Sequence, residues 1–489
     1  MTNPMTNLIK NRLKIQVFRF GGNGLCDAGD LGTAVRLILD AAKDSRLIVV
    51  ATGICDTEEE LFKAGVLAGE GNLEGSNELL SGVKNKYLRA WADLFPPGRK
   101  QEIDPIFDEV EELIHGVRLL AESSPRVLDR MRSAASRAAA QLLKAGIRAG
   151  GQDARVLETG AFIETDGTFG RAIPLSDVVN RAIRARIKPL LQKGTIPVLT
   201  GGCGRAPDGA TTTFGRGGGD LTSTLVALAM DARSITLWTG SPGIPAADQS
   251  IVPKAPPLDH LHYREAAELS FFSSGLLHPG CLVPLAQGDM EMTIKSIHEP
   301  EGVFTKIDGR ITEDHGPVRA VHAMVDHVLL SIEGKGMAGM AGMAAKVFSC
   351  LAEQEISVTM FSQSSSESSI CLAIRESHAG LAQTALRRGL DKEMLVGQID
   401  DIVVMPGVGL VTVVGMGMAG NPGTAGRIFS ALARAGVNIL AIAQGAMELS
   451  ISIAVKRSDV TVAVKALCIE FDIAGKKNNR QSGYHVESR

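Results

Sequence analysis

No uninterrupted apolar run in the 489 residues approaches the length of a bilayer span, and the stretch Met1 to Lys14 is polar, without the apolar core of a secretory leader. The expectation is a cytoplasmic chain with no membrane partner. Neither sign of charge dominates. Fifty-one Lys and Arg face 54 Asp and Glu, a net charge of −3, so no global field draws the chain toward nucleic acid. The seven cysteines (Cys26, Cys55, Cys203, Cys281, Cys350, Cys371, Cys468) stand singly, with no Cys-x-x-Cys pair. That pattern argues against a disulfide framework and a zinc ribbon, and predicts reduced, mostly buried thiols. His260 and His262, and likewise His322 and His327, lack companions at ligand spacing, so no structural metal is expected.

What is present is a long apolar chain, 45% hydrophobic and 21% charged, enough for several cores and roughly two to four domains. Lys14 to Phe20 reads as a buried strand running into Gly21-Gly22-Asn23-Gly24, with Asp30 placed to cap a helix through Leu31, Val35 and Ile38. Further strands are expected at Arg46 to Ala51, Ile196 to Leu199 and Ser234 to Thr239, separated by helical pattern. Such alternation makes a mostly parallel sheet covered by helices on both faces. Asp104 and Pro105 look like a cap and first-turn pair for a helix that buries Ile106, Phe107, Val110, Leu113, Ile114 and Val117. The alanine-rich run Ser133 to Gln141 suits a closely packed helix.

The segment most suggestive of chemistry is Thr211-Thr-Thr-Phe-Gly-Arg-Gly-Gly-Gly-Asp220. Glycines on both sides of Arg216 allow close backbone approach to a ligand, and Asp220 sits where a helix is expected to begin. Arg216 can grip a carboxylate with two parallel hydrogen bonds, and N–H groups at a helix start favour anions. A surface loop capped by an aspartate is the plainer alternative.

The second half carries an internal repeat. Leu329-Leu-Ser-Ile-Glu-Gly-Lys-Gly-Met-Ala-Gly339 returns as Leu410-Val-Thr-Val-Val-Gly-Met-Gly-Met-Ala-Gly420, and Gly334, Met337 and Gln363 match Gly415, Met418 and Gln444 at one shared offset of 81 residues. Each copy reads as strand, glycine loop, helix, strand. Such loops can bind the charged ends of an amino acid, with a Gln amide adding direction, or can merely turn the chain.

These features together resemble an aspartokinase of the amino-acid kinase family followed by paired ACT domains, over about Ile15 to Asp472. Arg19-Phe-Gly-Gly-Asn-Gly24 is similar to the family's Lys-Phe-Gly-Gly-Thr-Ser, and Thr212-Thr-Phe-Gly-Arg-Gly-Gly-Gly-Asp220 to its Thr-Thr-Leu-Gly-Arg-Gly-Gly-Ser-Asp. Trp238-Thr-Gly240 and Leu277-His-Pro279 resemble its Trp-Thr-Asp and Leu-His-Pro. Ser362-Gln-Ser-Ser-Ser-Glu-Ser-Ser-Ile370 looks most like the threonine-responsive members often fused to homoserine dehydrogenase, a part absent from this sequence.

The resemblance implies a kinase domain over 14–310, ACT domains over 311–400 and 401–473, and a polar tail over 474–489. It implies transfer of the γ-phosphoryl group of Mg-ATP to L-aspartate or a related amino acid, with no tightly bound cofactor. A regulatory amino acid such as threonine or lysine, and a homo-oligomer built through the ACT pair, follow from the same resemblance. Arg19 and Asp220 would be catalytic, while Arg216, Cys55 and Thr213 would meet the substrate. Gly21, Gly22, Thr239 and Gly243 would face the nucleotide, and Met337, Gln363, Met418, Asn438 and Gln444 the regulatory amino acid.

Departures from the family cluster at the chemistry. Arg19 replaces a lysine, Cys55 a threonine, and Arg130-Met131 a Gly-Glu pair that meets the substrate amine. On the nucleotide side Gly240, Pro245, Gln249-Ser250 and Gly275 replace an aspartate, a tyrosine, a Pro-Arg pair and a lysine. Losing cations there weakens stabilisation of transferring phosphate. Three readings therefore stand: a kinase, slow or redirected; a non-catalytic amino-acid sensor acting on a partner or active paralogue; and an enzyme with other carboxylate-activating chemistry.

Overall fold

The near-continuous apolar character of Ile15–Gly22 and Arg46–Ile54 places both strands inside a sheet buried on its two faces. The computed structural model describes residues 14–95, 102–272, 277–311 and 316–473. Gly275 and the 474–489 tail lie outside these residues. The chain divides into two units. The first holds the described residues of 14–244, 257–270 and 277–310; the second holds 245–256, 271–272 and the described residues from 311 onward.

In the first unit β1 (Ile15–Gly22), β2 (Arg46–Ile54), β3 (Ala154–Leu157), β4 (Ile196–Thr200), β7 (Ser234–Thr239) and β9 (Glu291–Ser296) run parallel, in the order β3-β4-β2-β1-β7-β9. The sheet then continues through β10 (Phe304–Asp308), antiparallel to β9, and β8 (His260–His262). A small hairpin, β5 (Cys203–Arg205) and β6 (Thr211–Thr213), stands apart from it. The expected mostly parallel sheet is therefore correct, while β3, β5, β6 and β8 to β10 were too short or too mixed in pattern to read in advance.

Helices cover the sheet: α1 (Ala28–Asp44), α2 (Thr57–Gly69), α3 (Leu73–Leu94), α4 (Asp104–Leu120), α5 (Pro125–Ala149), α6 (Ser176–Gln192), α7 (Gly218–Ala229), α8 (Tyr263–Phe272) and α9 (Leu282–Gln287). Three helix starts differ from expectation. Asp27, not Asp30, caps α1, accepting from the Asp30 N–H at 2.9 Å, which frees Asp30 to accept from Cys26 N–H at 2.8 Å. Ile103 precedes α4 and Asp104 lies inside its first turn. Gly217, with φ +77°, precedes α7, so Asp220 is a first-turn residue whose carboxylate faces inward. The alanines of α5, among them Ala134, Ala135, Ala138 and Ala139, are fully buried against the sheet. Small side chains there let the helix approach β2 closely.

The second unit is a six-stranded antiparallel sheet, β12 (Val358–Gln363), β13 (Ser369–Arg375), β11 (Ala320–Glu333), β14 (Asp401–Val414), β16 (Ser450–Lys456) and β15 (Ala441–Gln444) in spatial order. Its helices are α10 (Met343–Ala352), α11 (Ala379–Gly389), α12 (Asp391–Leu395), α13 (Thr424–Arg434) and α14 (Val460–Glu470). The repeat survives in three dimensions and its halves are interleaved. The long strands β11 and β14 are equivalent in the repeat and pair with each other: Ala320 to Met324 lie opposite Val414 to Leu410, while Leu329 to Glu333 lie opposite Met405 to Asp401. Each long strand thus contributes one end to each half. At the glycine loops a side chain on Gly334 would strike the Gln398 carbonyl at 2.1 Å, and one on Gly415 the Pro317 carbonyl at 2.4 Å. The same reciprocal contact explains why both positions are glycine.

Candidate functional site

The parallel strands β1, β2 and β7 end side by side, and such edges, where chain order reverses about the central strand, are where open α/β sheets bind ligands. Arg19, near the end of β1, sends its Nε–H to Asp220 Oδ1 at 2.9 Å and its Nη2 lies 2.7 Å from the same oxygen. A third donor, Nη1, reaches the Gly21 carbonyl at 3.4 Å. The other Asp220 oxygen accepts from the His278 backbone N–H at 3.1 Å, so a fully buried carboxylate is satisfied on both sides. His278 accepts from Gly280 N–H at Nδ1, which leaves Nε2 to donate to the Phe214 carbonyl at 3.2 Å. These two contacts hold the ring in place between Gly280 and Phe214.

Gly21, with φ +148°, and Gly219 close on Thr52 from two directions. A Cβ at Gly21 would fall 1.6 Å from Thr52 Oγ1, and one at Gly219 would fall 2.1 Å from Thr52 Cγ2. The glycine turn, the end of β2 and the start of α7 are therefore locked together without intervening side chains. Half-buried Glu58 accepts from Gly53 N–H at 2.9 Å, and burial pushes its carboxyl above the usual range.

The expectation of reduced cysteines fails here for two of the seven. Cys26 and Cys55 form a disulfide, with Cα atoms 5.1 Å apart, while the other five cysteines are free thiols. Single spacing in sequence concealed the contact because the turn after β1 folds over the end of β2, where Cys55 N–H donates to both Gly22 and Leu25 carbonyls at 3.2 Å. The bond leaves Cys55 without a thiol hydrogen to donate.

Thr213 is buried and held by Asp129: its N–H donates at 2.7 Å and its hydroxyl at 2.6 Å, while Gly170 N–H donates to the same carboxylate at 2.8 Å. Burial raises the Asp129 carboxyl despite these hydrogen bonds. Arg216, by contrast, is exposed on the loop before α7. Thr239 donates to the Ser241 carbonyl at 2.8 Å, and Gly243 lies two residues further along that loop. Pro245, Gln249 and Ser250 fall in the 245–256 segment that belongs to the second unit.

Beside the β5–β6 hairpin lies a cavity of about 330 Å³ whose lining includes Arg130, Arg137, Glu158, Cys203, Arg205 and Thr211. In the second unit Met337 and Met418 are buried in their glycine loops, whereas Gln363, Asn438 and Gln444 are exposed. One pair of contacts repeats: Gly339 N–H donates to Glu367 at 2.8 Å and Gly420 N–H to Glu448 at 2.9 Å.

The profile of the amino acid kinase family matches residues 14–296, more than half of the chain. This chain belongs to the amino acid kinase family. ACT-domain matches follow at 330–390 and 411–471, one in each half of the repeat. The chain is 26% identical over 466 residues to bifunctional aspartokinase/homoserine dehydrogenase 1, chloroplastic, of Arabidopsis thaliana, covering 93% of this chain and 51% of that protein. The bifunctional protein of Haemophilus influenzae is 27% identical, with 92% of this chain and 56% of that protein covered. The chain thus spans about half the length of these two relatives. Aspartokinase 1, chloroplastic, of Arabidopsis thaliana is 28% identical, with 94% of this chain and 80% of that protein covered. Among solved structures, E. coli aspartokinase III in complex with aspartate and ADP (R-state) superposes with a TM-score of 0.82 at 25% identity, covering 94% of this chain and all 100% of that one.

Within this amino acid kinase family member, sequence reasoning missed Asp129. It stands one residue before the Arg130-Met131 pair on which attention fell, and only the fold shows that it fastens Thr213 to the Gly170 loop. His278 was noticed as a motif residue, but its backbone contact with Asp220 spans 58 residues and carries no local signal.

Proposed function

We propose that this protein transfers the γ-phosphoryl group of Mg-ATP to the side-chain carboxylate of L-aspartate or a related acid, under amino-acid control through its ACT repeat. In that reaction an acceptor carboxylate oxygen forms a bond to the γ-phosphorus while the bond to the β,γ-bridging oxygen breaks. An acyl phosphate and ADP leave, and no proton need move. The buried Arg19–Asp220 pair at the end of β1, beneath the Gly21 turn, carries this reading. In this reading Arg19 is the fixed cation beside the transferring phosphate, and phosphoryl transfer depends chiefly on such positioning and charge neutralisation.

Asp220 acts in this account through Arg19, whose fork it orients. Arg216, exposed on the neighbouring loop, is free to close on an acceptor carboxylate. Magnesium would enter with the nucleotide as part of the substrate. Among the described residues no group of three or more His, Cys, Asp or Glu side chains is placed to hold a resident ion.

One observation favours a second reading, a regulatory amino-acid sensor. Three Arg19 donors are already committed to Asp220 and the Gly21 carbonyl, while the Gly–Glu contact is kept in both ACT halves. Calorimetric titration with MgATP, followed by a coupled assay for ADP in the presence of L-aspartate, separates the two. Nucleotide binding with aspartate-dependent ADP release supports the kinase; amino-acid binding without nucleotide binding supports the sensor.

A further inference from the structure

The cavity beside the hairpin has three arginines in its lining, Arg130, Arg137 and Arg205. Arg130 and Arg137 lie seven residues apart on α5, on one face, and both reach Glu109 of α4, at 2.5 Å and 2.7 Å. Arg137 also lies 3.3 Å from Glu158. Burial pushes the Glu109 carboxyl upward, but the two guanidinium groups outweigh it and hold it below the ordinary range. Glu109, outside the lining, and Glu158, within it, are both ionic partners of arginine.

Arg205 is a different case. It projects from β5 into the lining, and its guanidinium makes no hydrogen bond or ion pair among the described residues. The Thr211 hydroxyl accepts from Arg130 at 3.1 Å, which leaves its own hydrogen to donate. Cys203 is a neutral thiol, its pKa pushed by burial up to about 12. Three cations and a hydroxyl donor thus line the cavity with a single carboxylate, Glu158. The hairpin also ties the cavity to the candidate active site: Cys203 pairs with Thr213, and the chain runs from Thr213 through Arg216 into the helix that carries Asp220.

We propose that this cavity receives the carboxylate-bearing end of a small organic diacid that has no free ammonium group, with Arg205 as its principal contact. An ammonium placed here would meet three guanidinium groups with Glu158 as the one carboxylate of the named lining, itself 3.3 Å from Arg137. An uncharged hydrogen or hydroxyl at the same position carries no such cost. The role of this diacid as phosphoryl acceptor rests on the kinase reading above; its binding does not.

The test is calorimetric titration of the full chain with succinate, L-malate and L-aspartate, without nucleotide. Succinate or L-malate is expected to bind at least about tenfold more tightly than L-aspartate, equivalent to about 1.4 kcal/mol. Arg205→Ala, an exposed position that leaves the fold intact, should remove that binding, and Glu158→Gln should preserve or strengthen it. L-aspartate binding equal to or tighter than succinate, loss of binding in Glu158→Gln, or no binding of any of the three acids overturns the proposal. If succinate binds but no acid yields acyl phosphate with MgATP, the kinase reading fails and the anion site stands. If L-aspartate binds best and is phosphorylated, the anion site fails and the kinase reading stands.

Discussion

Arg19 and Asp220 lie 201 positions apart in the chain and meet in a buried ion pair 2.7 Å long. Removing one partner leaves an uncompensated charge in the interior, whereas exchanging both for apolar groups does not. Asp220→Ala is expected to destabilise the first unit by about 3–5 kcal/mol in urea denaturation. The Arg19→Met, Asp220→Leu double variant should cost clearly less than the sum of the singles. Additive costs would show that the pair is not coupled.

Two adjacent glycines make a sharper comparison. Gly21 and Gly22 both have positive φ, but a Cβ at Gly21 would overlap Thr52 while one at Gly22 meets open space. Gly22→Ala should cost about 1 kcal/mol from backbone strain, and Gly21→Ala several times that, because Thr52 and the start of α7 must shift as well. Thermal unfolding of the two variants side by side checks this, and equal losses would remove Thr52 from the account.

Much of this architecture was legible in the sequence because its signals are local. The apolar runs of β1, β2, β4 and β7, the alanine face of α5 and the 81-residue repeat each occupy a contiguous stretch. What stayed hidden depends on contacts between distant segments. The Cys26–Cys55 bond needs the turn after β1 to fold over β2, Asp129 needs β6 laid against α5, and His278 needs α7 packed on the segment before α9. The interleaving of β11 and β14 was hidden for another reason: a repeat in sequence is the same whether its halves stand apart or exchange strand ends.

The disulfide has a direct signature. Alkylation of the unfolded, unreduced chain should label five cysteines, and prior treatment with a dithiol should raise the number to seven, read by intact mass. Cys26→Ser should lower stability by about 2–4 kcal/mol, as expected for removing a cross-link of this loop length. Seven labels without reductant would contradict the bond.

Asp308 predicts a pH dependence. Burial pushes its carboxyl up, but hydrogen bonds from Arg310 and His260 outweigh this and hold it far below the ordinary carboxylate range. A carboxyl depressed in the folded state contributes stability above its unfolded pKa of about 3.9, and that contribution is lost as pH falls toward the folded value. Asp308→Asn should therefore be less stable than the parent near neutrality, with the difference beginning to shrink as pH falls through about 4 and continuing to shrink toward the much lower folded value, measured by denaturant midpoint across pH. A constant difference over that window would exclude Asp308 as its source.

The central claim is carboxyl phosphorylation at the end of β1. The most direct measurement is trapping of acyl phosphate as the hydroxamate after incubation of the full chain with MgATP and L-aspartate, succinate or L-malate, beside an Arg216→Ala control. The account predicts hydroxamate from at least one acid and its loss in the control. A folded protein that binds MgATP yet yields no hydroxamate from any of them, or a control as productive as the parent, would contradict it.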